Sequence, residues 1–197
     1  MKRNFTLSLL AIIVILGSCK KDDTNTDSAT IQGTYQFKYI SAKTNSTVTG
    51  SDGEKAVTTS DYTTINNQGT IVFDASNLSG TGLTYTVNDE AASYFYQDNQ
   101  LLDSISYPFT FTYPASNSTA AYKLIGADSI YFAQGALVTG VGVTGSAQYI
   151  SNGGRYTLKG NLLTITQIAL KDSTFQDSGV TFHMRESGVA NIVMEKQ

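Results

Sequence analysis

Few side chains in this 197-residue chain are of the kinds that carry out chemistry: it holds one cysteine, Cys19, and one histidine, His183. A single cysteine closes no intrachain disulfide, and a free thiol is a liability in an oxidising compartment. One histidine with one cysteine excludes the usual zinc and haem ligand sets. His183 stands in VTFHMRE with Thr181 and Arg185 on one face, opposite Phe182 and Met184, which predicts an outward strand position rather than a base. No G-x-S-x-G elbow is present, and H-E-x-x-H would need a second histidine. Asp89, Glu90, Asp98 and Asp103 supply carboxylates, but their spacing selects no glycosidase pair. Gly140 to Gly145 reads GVGVTG and matches G-x-G-x-x-G, yet SAQYISNGGRYTL follows it where a phosphate-binding helix would have to start. No catalytic residue, metal or cofactor is expected, and the chain is read as a non-enzyme. The one stripe suited to binding is aromatic: Tyr107, Phe109, Phe111 and Tyr113 alternate with Pro108, Thr110 and Thr112. Such rings either fill a core or line a ligand wall.

The elements that position these residues begin with an address. Lys2 and Arg3 precede an uncharged apolar run, Phe5 to Leu16, with the length of a secretory h-region and too short to span a bilayer. Leu16-Gly17-Ser18-Cys19 then resembles the lipobox of bacterial lipoproteins. That resemblance implies cleavage before Cys19, a diacylglycerol on its thiol and acylation of the new amino terminus. Several acyl chains anchor stably where one does not. Lys20-Lys21-Asp22-Asp23 resembles the Lys/Asp-rich export tags of Bacteroidota surface lipoproteins, which implies the outer membrane, at the cell surface or facing the periplasm. Residues 1–18 are thus expected to be the signal and 19–32 the lipidated cysteine with a polar tether. Without Lys2 and Arg3 the chain keeps 11 Lys and Arg against 16 Asp and Glu. That balance, with no basic cluster, argues against nucleic acid.

Residues 33–197 are expected to form one all-β domain. Thr, Tyr, Phe, Val and Ile suit a pleated, half-buried surface, and the chain has 12 Tyr and 9 Phe but no Trp. TYQFKYI places Tyr35, Phe37 and Tyr39 on one face. GTIVF, DASN and SGTGLTYTV predict a hairpin with Leu83, Tyr85 and Val87 inward. Ile105 joins the aromatic stripe in LLDSISYPFTFTYP, where Pro108 marks an edge or an irregular pairing. Lys159-Gly160-Asn161 predicts a second hairpin, and Ser187-Gly188 a turn between VTFHMRE and VANIVMEK. Eight to ten strands result, expected to close as an antiparallel up-and-down barrel, with a β-sandwich as the alternative.

Gly33-Thr34-Tyr35, the stretch from Thr58 to Val87 and the closing hairpin look like the lipocalin-like lipoproteins common in Bacteroidota. In lipocalins a Gly-x-Trp packs at the closed barrel end under a late arginine; Tyr35 stands in the Trp place here, and Arg185 is the possible arginine. The resemblance implies an eight-stranded barrel with one open mouth. On that basis a small hydrophobic or amphipathic ligand is expected against Tyr35, Phe37, Tyr107, Phe109 and Phe111. The alternative is a barrel filled by its own side chains, whose outer face meets another envelope protein or a glycan.

Overall fold

A computed structural model describes residues 30–133 and 150–197. Cys19 and the Gly140–Gly145 run lie outside the described residues. Every regular element among those described is a strand: β1 (Gly33–Gly50), β2 (Glu54–Thr63), β3 (Ile65–Phe73), β4 (Asn77–Gln97), β5 (Gln100–Ile125), β6 (Ser129–Phe132), β7 (Ile150–Lys159), β8 (Leu162–Asp177) and β9 (Val180–Lys196). From β3 to β9 each strand pairs antiparallel with the next, and β9 returns to pair with β1 from Tyr35 to Gly50. The sheet is an antiparallel up-and-down barrel. It is not two stacked sheets, because the β1–β9 ladder joins what would be the free edges.

Nine strands make a ring of eight positions, since β2 and β3 lie end to end between β1 and β4. The break falls at Thr64, and its side chain repairs the ladder. Thr64 Oγ1 accepts from the Ile40 amide at 2.9 Å and donates to Asn67 Oδ1, while Asn67 Nδ2 donates back to the Thr64 carbonyl. A buried corner without those bonds would strand backbone groups away from water.

Alternation places the core. Tyr35, Phe37, Ile40, Ile71, Phe73, Leu78, Tyr85, Val87, Leu163, Ile165, Ile192 and Met194 point inward and are buried. Ile31 is buried as well, so the packed body begins two residues before Gly33, inside the stretch expected to be tether. Tyr39 departs from the expected face and is 40% exposed. The pairing of β1 with β9 shifts between Phe37 and Tyr39, and that bulge turns Lys38 and Tyr39 outward together and hands the inner place to Ile40.

The expected turn at Ser187-Gly188 does not exist. Val180 to Lys196 is one strand, and Met184, Glu186, Gly188, Ala190, Ile192 and Met194 form one inward row. Its hairpin with β8 turns at Ser178-Gly179, both at positive φ. The Asp74–Asn77 hairpin forms as expected, with Asp74 Oδ1 accepting from the amides of Ser76 and Asn77. So does the turn at Gly160, φ 62°.

Candidate functional site

At one end the barrel is sealed by its own side chains. Tyr35, Phe73 and Tyr122 meet edge to face, with centroids 5.6 and 5.4 Å apart. The Tyr35 hydroxyl donates to the Ile31 carbonyl at 2.8 Å, and that of Tyr122 to the Asp74 carbonyl. Burial raises both phenol pKa values, helped by Tyr122 for Tyr35 and by the Asp74 carboxylate for Tyr122. The cation over the Tyr35 ring is Lys196, with Nζ 5.9 Å from the centroid. Arg185 is not the counterpart of a lipocalin arginine. It faces outward, exposed, beside Asp172 at 3.9 Å. Gly33 lies beside this lysine, where an added Cβ would sit 2.7 Å from the Lys196 Cε.

A second aromatic run climbs from this plug. Phe37 meets Tyr85, Tyr85 stacks on Tyr113 at 5.2 Å and touches Phe111, Phe111 meets Phe109, and Phe109 meets Tyr62. Burial pushes the Tyr62 phenol up to about 12. It raises that of Tyr85 too, with Tyr62 and Tyr113 adding to the effect.

The five expected wall residues therefore split. Tyr35 and Phe37 are buried, Tyr35 in the plug and Phe37 at the foot of the second run. Phe109 and Phe111 are half-buried against the core and form its upper surface. Tyr107 faces the same interior but is 38% exposed, and Ile105 beyond it is more so. Interior-facing yet open is the geometry of a wall above a floor.

The interior changes character above that floor. Among the described residues β6 and β7 are short and close the ring near the plug, while β8, β9, β1, β2, β4 and β5 run on as a curved trough. In register across it stand Lys171, Glu186, Ser46, Thr58, Ser93 and Ile105. The row nearer the floor is Ala169, Gly188, Thr44, Ser60, Ala91 and Tyr107. Two hydroxyl pairs satisfy each other, Thr44 with Ser60 at 2.6 Å and Thr58 with Ser93 at 2.8 Å. Toward the far rim the inner face of β8 and β9 turns apolar again, with Phe175 stacked on Phe182 at 5.2 Å, while the inward row of β5 passes from Ile105 to Asp103.

Sequence reasoning missed this polar belt. Its signal was available in β8, where the inward row runs Leu163, Ile165, Gln167, Ala169, Lys171, Ser173: polar residues replace apolar ones midway along a strand.

The remaining reactive groups do not converge. Asp89 and Glu90 point to opposite faces of β4, Asp98 sits in the β4–β5 turn, and Asp103 pairs with Phe95 near that turn. His183 faces outward as expected, its Nδ1 3.1 Å from Thr174 Oγ1. A concavity of about 530 Å³ touches Lys43, Asp61 and Glu90 on the outer wall; it is not a lumen.

Neither a protein-family model nor a curated protein matches the chain. Among solved structures, the crystal structure of Ail, the attachment invasion locus protein of Yersinia pestis, aligns over 83% of this chain and 99% of its own length, at 9% identity and a TM-score of 0.19.

Proposed function

We propose that this chain is a lipid-anchored lipoprotein of the bacterial outer membrane, of the lipocalin-like kind, that holds a small amphipathic molecule in an open barrel. The observation that carries the binding half is the contrast between the two ends. One is packed solid by Tyr35, Phe73 and Tyr122, while inward-facing Ile105, Tyr107 and Phe175 at the other remain open to solvent. Large rings on an inner wall are placed to give up that exposure to a ligand, at ~25 cal/mol per Å² of apolar area buried. The anchoring half rests on the Leu16–Cys19 box behind a short apolar run.

The test is expression of the full chain with its leader in a diderm bacterium fed labelled palmitate. The expected outcome is label on the wild type, none on Cys19→Ser, and a stoichiometric small-molecule mass on the detergent-extracted wild type in native mass spectrometry. Palmitate on the Cys19→Ser variant at wild-type level sinks the anchor. A bare protein mass after exposure to envelope lipid extracts sinks carriage and favours an outer-face partner, an envelope protein or a glycan.

A further inference from the structure

The polar belt holds two buried polar atoms without a hydrogen bond. Glu186 and Lys171 oppose each other across β9 and β8 on the inner wall, Oε2 to Nζ 3.4 Å, with side chains only 8% and 16% exposed. Taking an ion pair out of water is costly unless hydrogen bonds satisfy what the partner leaves open. Here Glu186 Oε2 makes no hydrogen bond, and neither does the buried Ser173 Oγ, the next inward position along β8. Of the hydroxyls in the same row, Thr58 and Ser93 bond each other across β2 and β4. Beside Glu186 the inner row carries small residues: Gly188 follows it along β9, and the buried Ala169 lies opposite Gly188. A carboxylate oxygen and a hydroxyl, neither of them hydrogen-bonded, thus adjoin the smallest residues of the two strands.

From this geometry we infer that the trough receives an uncharged, hydroxyl-bearing head group, which donates to Glu186 Oε2 and hydrogen-bonds Ser173 Oγ. The inference rests on the carriage reading above and names the ligand class. The charges decide it. Lys171 and Glu186 neutralise each other, so a carboxylate head would be set against Glu186 and an ammonium head against Lys171. A hydroxyl satisfies Oε2 without adding a charge, and a second hydroxyl on the same head reaches Ser173 as donor or acceptor. The apolar part then lies in the trough, whose inner face carries Tyr107 and Ile105 at one side and the Phe175–Phe182 pair at the other. A glycerol monoester has this chemistry.

Three probes with the same twelve-carbon tail separate the possibilities: monolauroylglycerol, laurate and dodecylamine, each below its micelle concentration, titrated into the full-length protein against the apolar reporter N-phenyl-1-naphthylamine. The glycerol ester is expected to displace the reporter at least tenfold more tightly than either charged probe. In the double variant Lys171→Met/Glu186→Leu, which leaves no lone buried charge, that preference should fall to within twofold while the reporter still binds. Ser173→Ala, which removes one hydroxyl and little else, should weaken the ester a few-fold and leave laurate unchanged. Equal affinities in the wild type, or a preference that survives both substitutions, overturns the head-group assignment and leaves carriage standing. Failure of the reporter and all three probes to bind the wild type overturns carriage itself.

Discussion

At the scale of single residues, Tyr62 couples the interior to pH. Its side chain is 2% exposed, leans on Phe109 at 5.9 Å, and burial moves its phenol from 10.0 to about 12. The unfolded chain gives up this proton near 10, the folded chain only near 12. The stability it contributes is therefore complete below pH 10 and is lost as the pH climbs to 12. A shift of two units is worth ~2.7 kcal/mol. Urea unfolding midpoints should fall over that window, and Tyr62→Phe should flatten the fall; a midpoint flat from pH 9 to 12 in the wild type would show the phenol in water. The sequence did not mark this ring, and along β1 it was legible only in part. Period-two reading found Tyr35 and Phe37 inside, then failed at Tyr39, because nothing in the letters of TYQFKYI marks a bulge that the β1–β9 register creates. It failed likewise over the cation on Tyr35. Lys196 reaches that ring only because β9 runs unbroken to the plug.

Elements depend on glycine in two different ways, and sequence does not separate them. Gly160 lies in a turn, at positive φ, and was legible between two apolar arms. Gly188 looks the same in the sequence, yet it sits mid-strand facing inward, where an added Cβ would meet the Lys43 carbonyl oxygen at an ordinary 3.4 Å. Gly69 is held by two demands, its backbone angle and its close neighbours. Its φ is +114°, and a Cβ would lie 2.7 Å from the Leu83 Cα and 2.8 Å from the Gly82 carbonyl oxygen, beside the irregular β3–β4 pairing. Backbone cannot step aside as a flexible side chain can. Gly69→Ala should cost ~2 kcal/mol or more, against ~1 kcal/mol for Gly126→Ala. Gly126 is also at positive φ, but nothing lies within 4 Å of the added carbon. Equal losses for the two in urea titrations would mean that β3 and β4 are farther apart than described.

For the whole molecule the deciding question is which face meets water. The closure into a barrel was legible, since an all-β chain with few charges has edges to hide. The trough was not, because Lys171 and Glu186 lie on different strands and meet Ser46, Thr58 and Ser93 only through three more ladders. A barrel that spans a membrane wears an apolar belt ~25 Å tall outside and keeps its polar residues within. This barrel is the reverse along most of its wall. The outward row of β1 reads Thr34, Gln36, Lys38, Tyr39, Ser41, Lys43, Asn45, Thr47 and Thr49, and its charges pair with the outward Glu195 and Asp61 at 3.0 and 2.7 Å. Exterior apolar residues such as Ile168, Leu170 and Val189 sit together on β8 and β9 without continuing onto β1, where Lys43 pairs with Val189. Lysine on a lipid-facing strand costs ~2–4 kcal/mol at the bilayer midplane. The chain from residue 19 onward, carrying Cys19→Ser so that no lipid is attached, should therefore run as a water-soluble species in sedimentation velocity without detergent. It should also leave liposomes unpermeabilised. A requirement for detergent to keep it dispersed, or dye release from loaded vesicles, would mean that the wall meets lipid directly.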